Sequence, residues 1–267
     1  MTRVAGVAGR PIGHSLSPLI HGAWIETAGL DARYQAFEPV DAAAFAAVAA
    51  QVRSGAWAGL NVTAPFKEQA FALADAVSET ARRCGSANLL VRRDGVLWAD
   101  STDGRGLLAA LAEQAPELVL TGAPVVVLGA GGAARAAVAA LAEAGARVTV
   151  VNRSRDRAET LAADLGATVG DMESVGETRL IVNALSVQPA LDMTVLKPDV
   201  VLMDMSYRPV VTPFLAAGRL RGLTTVDGLA MLIGQARPSF EAFFGVAPPA
   251  VDVRALALAW MAREAAS

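Results

Sequence analysis

Between residues 125 and 134 an unbroken apolar run, Val125-Val126-Val127-Leu128, leads straight into Gly129-Ala130-Gly131-Gly132-Ala133-Ala134. A run this short and this apolar reads as a strand buried on both faces. Gly129, Gly131 and Ala134 stand in the spacing G-x-G-x-x-A. Small residues are needed there, because the chain must turn tightly from strand into helix and let a ligand come close to its backbone. The amides and the positive dipole end of the helix that follows favour a pyrophosphate. A bare tight turn would use the same glycines; the strand before and the helix after turn the weak motif into a dinucleotide-binding one.

The rest of the chain is built to the same rhythm. Val4–Ala8, Tyr34–Phe37, Trp57–Leu60, Arg147–Val151, Leu180–Val182, Val200–Met203 and Leu223–Val226 read as strands separated by helical stretches. Ser17-Pro18 reads as an N-cap with proline at the first helical position, and Asp41 as the cap of the next helix. Ser86–Val91 and Val96–Ala99 read as paired strands around the turn signal Arg93-Asp94-Gly95, and a helix is expected from Leu107 to Pro116. Alternating strands and helices imply parallel sheets covered on both faces. The expected fold is α/β in two domains. The first spans residues 1–103, completed by C-terminal helices in 228–267 that pack back on it; the second is a Rossmann domain at 104–227. With 267 residues the chain is long for one core and comfortable for two.

The tip of the second Rossmann strand distinguishes the dinucleotides. An NAD enzyme usually places an acid there for the ribose 2′-hydroxyl. Here the strand ends Val151-Asn152-Arg153-Ser154-Arg155-Asp156-Arg157, with no acid at the tip. Arg153 can grip a 2′-phosphate with both arms of its guanidinium, and Arg157 follows one turn later. Positive charge at a helix start is unfavourable without an anion, so the expected cofactor is NADP.

A second polar concentration lies in the first domain. Asn61-Val62-Thr63-Ala64-Pro65-Phe66-Lys67 follows an apolar strand, so its polar groups emerge where open α/β sheets bind ligands. Pro65 forces a turn, and Lys67 opens the next helix, placed to handle a proton. By itself Asp103, in Ser101-Thr102-Asp103-Gly104, reads as a helix cap or turn residue rather than a functional one. His14 and His21, seven apart with no cysteine or acid cluster nearby, are poor metal ligands and read as structural. No metal is expected.

Charge excludes other classes of partner. Against 23 basic residues stand 26 acidic ones, a net charge of −3, and no half is strongly basic, so nucleic acid is not expected. No segment reaches the ~20 apolar residues of a membrane span. Cys84 is the single cysteine, which fits a reducing cytoplasmic setting. The expected partner is a small molecule, with the chain a monomer or homodimer.

Taken in order, His14-Ser15-Leu16-Ser17-Pro18, Asn61 to Lys67, Ala87-Asn88, Ser101 to Gly104, Gly129 to Ala133, Asn152-Arg153-Ser154, Asp204-Met205-Ser206-Tyr207 and Asp227-Gly228-Leu229-Ala230-Met231-Leu232 resemble the shikimate dehydrogenase family over nearly the whole length. The resemblance implies reversible, NADPH-dependent reduction of 3-dehydroshikimate to shikimate, on the route to chorismate and the aromatic amino acids. It implies Lys67 and Asp103 as the catalytic pair. Ser15, Ser17, Asn61, Thr63, Asn88, Tyr207 and Gln235 match substrate-binding positions. Gly129, Ala130, Gly131, Gly132, Ala133, Asn152, Arg153, Ser154, Arg157, Met205 and Gly228 match cofactor-binding ones. The chain departs from the family pattern at Leu89, Ser101, Leu185, Gln188 and Ala230. Leu185 and Gln188 bear on the nicotinamide loop; Lys67 and Asp103 are retained. The alternatives are a relative acting on quinate or aminoshikimate, and a non-catalytic NADP or metabolite sensor on the same fold.

Overall fold

The computed structural model describes residues 2–266. The chain forms two compact units, Met1–Thr102 joined by Gln235–Ser267, and Asp103–Gly234. The sequence reading ends the middle domain at 227, but the chain crosses back inside a helix, at Gln235, where no loop composition marks the change.

The first unit runs β1 (Arg3–Ala8), α1 (Ser17–Thr27), β2 (Ala32–Phe37), α2 (Ala42–Arg53), β3 (Gly59–Val62), α3 (Lys67–Leu73), β4 (Ala76–Val77), α4 (Glu79–Cys84), β5 (Leu89–Arg93) and β6 (Val96–Asp100). Among the described residues its sheet has the order β2-β1-β3-β5-β6-β4. It is mixed rather than parallel: β5 runs antiparallel to both β3 and β6. The cause is local, since Asp94 and Gly95 both take positive φ and fold β5 back onto β6 in a two-residue hairpin. On one face Phe45 stacks on Phe66 at 4.9 Å, over Leu60, Leu90 and Leu97.

The second unit runs α5 (Asp103–Gln114), β7 (Pro124–Leu128), α6 (Gly132–Glu143), β8 (Arg147–Val151), α7 (Arg155–Leu165), β9 (Thr168–Val169), β10 (Leu180–Asn183), β11 (Val201–Asp204), α8 (Pro213–Leu220) and β12 (Thr224–Val226). Its strand order, β12-β11-β10-β7-β8-β9, is parallel throughout. The order reverses between β7 and β10, the switch point at which such sheets take ligands. Helix α9 (Gly228–Phe244) begins in this unit and ends in the first, followed by α10 (Val253–Ala266).

The end of α9 covers the other face of the first sheet. Gln235, Ser239 and Phe243 recur every four residues and so share one side of the helix. A Cβ on Gly59 would lie 2.2 Å from Phe243, so only glycine admits that ring against β3. Arg3 ties the strand edge to the helix end by donating to the carbonyls of Phe243 and Phe244.

Three local expectations are corrected. Ser17 does not cap α1: Leu16 holds the cap position, no side chain caps the helix, and Ser17 is its first residue. The strand expected to end at Leu60 continues through Asn61 and Val62, because both pair with flanking strands. Helix α5 starts at Asp103, a full turn before Leu107.

Candidate functional site

In the first unit, sheet direction gathers the polar motifs. Strands β1, β3 and β6 end on the edge where antiparallel β5 begins: Ala8 lies beside Val62, Asn61 beside Leu89, and Leu89 beside Asp100. The connections carrying Ser15 and Ser17, Thr63 and Lys67, Asn88, and Thr102 therefore leave one edge of one sheet. Backbone bonds stitch them together there, from Thr63 N to Ala8 O, Arg10 N to Ala64 O, Ala87 N to Lys67 O and Asn88 N to Asp100 O, all between 2.9 and 3.1 Å. Lys67 is the first residue of α3 and half-buried, as is Thr63.

Beneath this edge lies a connected set of buried polar side chains. Asn61 Nδ2 donates to the Asn88 carbonyl at 3.1 Å and to Ser239 Oγ at 2.8 Å. Asn61 Oδ1 accepts from the Tyr34 hydroxyl at 2.8 Å. Asn88 Oδ1 accepts from Thr102 N at 2.7 Å, while its Nδ2 donates to Gln235 Oε1 at 2.9 Å and to Thr102 Oγ1 at 3.0 Å. Thr102 Oγ1 and Ser239 Oγ both reach the Gln235 carbonyl, at 3.1 and 3.2 Å. Buried amides and hydroxyls left unpaired are costly, so this set holds its members in fixed orientations. Of the substrate positions implied by the resemblance, Asn61, Asn88 and Gln235 belong to it. The phenol of Tyr34, which completes the set, is raised well above its ordinary pKa by burial. Ser15 Oγ accepts from Ser17 N at 3.3 Å.

Tyr34, Thr102 and Ser239 were not singled out from sequence. Ser239 carried a readable signal, since it lies four residues beyond Gln235 on one helix; Tyr34 carried none.

The two histidines separate. His14 is exposed in the connection before α1. His21 is buried, stacked on Tyr34 at 4.0 Å, with Trp24, Phe240 and Phe243 around it. Neither ring nitrogen has a hydrogen-bond partner, and burial lowers its pKa to about 3. It is a neutral core residue. Among the described residues no cluster of three His, Cys, Asp or Glu side chains could hold a metal, and no helix is long and apolar enough to cross a membrane.

In the second unit Leu128 pairs with both Val151 and Asn183, so the connections after β7, β8 and β10 are neighbours at one edge. Gly129 adopts φ +116°, packed against Leu185 and the Ala184 carbonyl. Gly131 holds the cap position of α6 without any side-chain cap, and a Cβ on Gly131 or Gly132 would meet nothing within 4 Å. Uncapped amides beside open space fit a phosphate. A cavity of about 710 Å³ adjoins this edge, lined by Leu128, Asn152, Arg153, Arg155, Met172, Leu185 and Val187 among others. Its apolar walls and two arginines fit an adenine ring with an anionic ribose. Arg153 is exposed and makes no ion pair among the described residues, whereas Arg155 pairs with Glu159. Ser154 holds the cap position of α7 and Asn152 Nδ2 donates to its carbonyl; Arg157 is exposed on α7 and does not line the cavity.

Asp103 opens α5 half-buried. Tyr207, also half-buried, follows β11, whose terminal Asp204 accepts from Asn183, Ser206 N and Thr212. Gly228 lies so close to the Met205 and Ser206 carbonyls that a Cβ would stand 2.5 to 2.6 Å away. Met205 and Gly228, far apart in sequence, are thus brought together.

Residues 7–90 match the shikimate dehydrogenase substrate binding domain, and residues 110–210 match shikimate / quinate 5-dehydrogenase. A shikimate dehydrogenase (NADP(+)) from Caulobacter vibrioides is 51% identical over 270 residues, spanning 96% of this chain and 94% of that protein. The chain belongs to the shikimate dehydrogenase family. Within it, the shikimate 5-dehydrogenase of Thermus thermophilus, solved in complex with NADP(H) and shikimate, superposes with a TM-score of 0.88 at 36% identity, covering 96% of this chain and 99% of that one. The ligand-free 5-ketofructose reductase of Gluconobacter sp. strain CHM43 gives 0.87 at 31% identity, covering 98% and 99%. The shikimate dehydrogenase fold therefore hosts proteins of more than one named activity, and the substrate must be argued from the site.

Proposed function

We propose that the chain is an NADP-dependent shikimate dehydrogenase, reversibly reducing 3-dehydroshikimate to shikimate in the route to chorismate and the aromatic amino acids. The observation that carries this reading is the assembly of Asn61, Asn88 and Gln235 into one hydrogen-bonded set at the sheet edge beside Lys67. Near full-length identity to relatives of that name supports it. Shikimate offers three hydroxyls and one carboxylate on a small ring. Uncharged donors and acceptors held rigidly recognise such a molecule better than metal or bulk charge.

Bound NADPH supplies the hydride. The Asn152 to Arg153 segment holds its ribose phosphate, and the α6 N-terminus its pyrophosphate. Ser15 and Ser17 take the substrate carboxylate, and Thr63, Asn88, Tyr207 and Gln235 the ring hydroxyls and ketone surroundings. Gln235 commits its Oε1 to Asn88 and keeps its Nε2 for a ligand oxygen. As negative charge grows on the ketone oxygen, the Lys67 ammonium stabilises it and delivers the proton. Asp103 accepts from a substrate hydroxyl and orients the ring. The reaction takes place in the cytoplasm, where the lone Cys84 stays reduced.

The test is absorbance of the reduced nicotinamide, with shikimate or quinate, each with NADP or NAD. Fastest turnover with shikimate and NADP supports the reading. Preference for quinate or NAD moves the chain to the other named branch of its family. NADP binding without turnover of either acid leaves a sensor.

A further inference from the structure

We propose that Tyr34 is a positioning residue for this reaction: its hydroxyl sets the orientation of Asn61 and, through Asn61, that of the groups that meet the substrate. The inference rests on the function proposed above.

Tyr34 lies on the edge strand β2, two strands from β3. Its register partner on β1 is Ala5, itself paired with Gly59 on β3. These small residues clear a path across the sheet face, and the phenol spans it to reach Asn61. His21 stacks parallel to the ring at 4.0 Å and Phe243 packs at 6.3 Å, so the ring is clamped.

The bonds have a direction. Backbone carbonyls only accept, so the Asn88 carbonyl fixes which end of Asn61 is Nδ2. Asn61 Oδ1 then needs a donor, and the Tyr34 hydroxyl supplies it at 2.8 Å. Ser239 receives the second Asn61 proton and passes its own to the Gln235 carbonyl. One phenol on β2 thus acts, through Asn61, on Asn88 and, by way of Ser239, on Gln235. Removing it strands an acceptor on Asn61.

The test is Tyr34→Phe, which keeps the clamped ring and deletes only the hydroxyl. The expected result is a rise in KM for shikimate of about tenfold, equivalent to ~1.4 kcal/mol, with KM for NADP within about twofold of wild type. A purely structural bond would lower the melting temperature and leave the ratio of the two KM values unchanged, which would overturn the proposal; so would an equal rise in both. Ser239→Ala removes the acceptor on the far side of Asn61 and carries the test alone if Tyr34→Phe does not fold: a selective rise in shikimate KM is expected again, and none refutes the proposal. In the double variant the two effects should combine to less than their product, because both act through Asn61; a full product refutes the shared path. A wild-type chain inert towards shikimate would remove the functional reading and this one with it, whereas an active wild type with an unaltered Tyr34→Phe removes only this one.

Discussion

His21 gives the first unit a built-in acid sensitivity that can be isolated by one substitution. In the folded protein burial lowers its pKa from 6.5 to about 3. The unfolded chain takes up a proton in that interval and the folded chain does not. Stability is therefore complete above pH 6.5, falls as pH drops, and reaches its floor near pH 3. The slope approaches ~1.4 kcal/mol per pH unit, so about 2 kcal/mol is lost to this group between pH 7 and pH 5. His21→Phe removes the titration while keeping an aromatic ring in the cluster with Tyr34, Trp24 and Phe240. At pH 7 the cost should be small, since both ring nitrogens already lack partners. Urea unfolding followed by tryptophan fluorescence is a suitable assay, because all four tryptophans, 24, 57, 98 and 260, lie in the first unit. Carboxylates titrate alike in both proteins and cancel in the difference. The stability of His21→Phe relative to wild type should rise by about 2 kcal/mol from pH 7 to pH 5. A difference that stays constant with pH would refute the assignment of His21 as a buried neutral base.

Lys67→Ala should lower kcat by at least ~100-fold, the usual worth of a positioned proton donor, with little change in shikimate binding; near-normal turnover would remove Lys67 from the chemistry. Arg153→Ala should weaken NADP binding by about tenfold or more, as loss of a charge-assisted contact does, and leave NAD binding nearly unchanged; calorimetric titration showing equal loss for both would sink the phosphate role. Gly59→Ala should destabilise the first unit by about 1 to 3 kcal/mol, because its methyl would overlap Phe243; an unshifted urea midpoint would show that α9 gives way at no cost.

Much of the molecule was legible because its causes are local. The strand, glycine and helix sequence at 124–143 announces a Rossmann unit wherever it occurs, since the turn geometry is set by the residues in it. The same holds for Asp94-Gly95, which folds β5 onto β6, and for Asp41, whose carboxylate accepts from Ala44 N at 2.8 Å to cap α2. Ser17 was misread as a cap for an instructive reason. Leu16 already takes helical backbone angles and holds the cap position, so Ser17 falls inside the first turn, and that one-residue shift is invisible to a rule that reads Ser-Pro as cap and first helical residue.

The residue types of the candidate site could be named from the chain alone, from Lys67 and Asn61 to Arg153, because chemistry restricts which side chains can do such work. Their arrangement could not. Asn61 is held by Tyr34, 27 residues before it, and by Ser239, 178 residues after it. Gly59 is required by Phe243, and Gly228 by the carbonyls of Met205 and Ser206. Propensity and spacing act over a few residues, whereas the orientation of a buried amide is decided by whichever donors and acceptors folding brings within about 3 Å of it. That is why the sequence by itself determined the fold class, the family and the chemical inventory, and only the tertiary structure decided which of those groups are locked, by what, and in which direction.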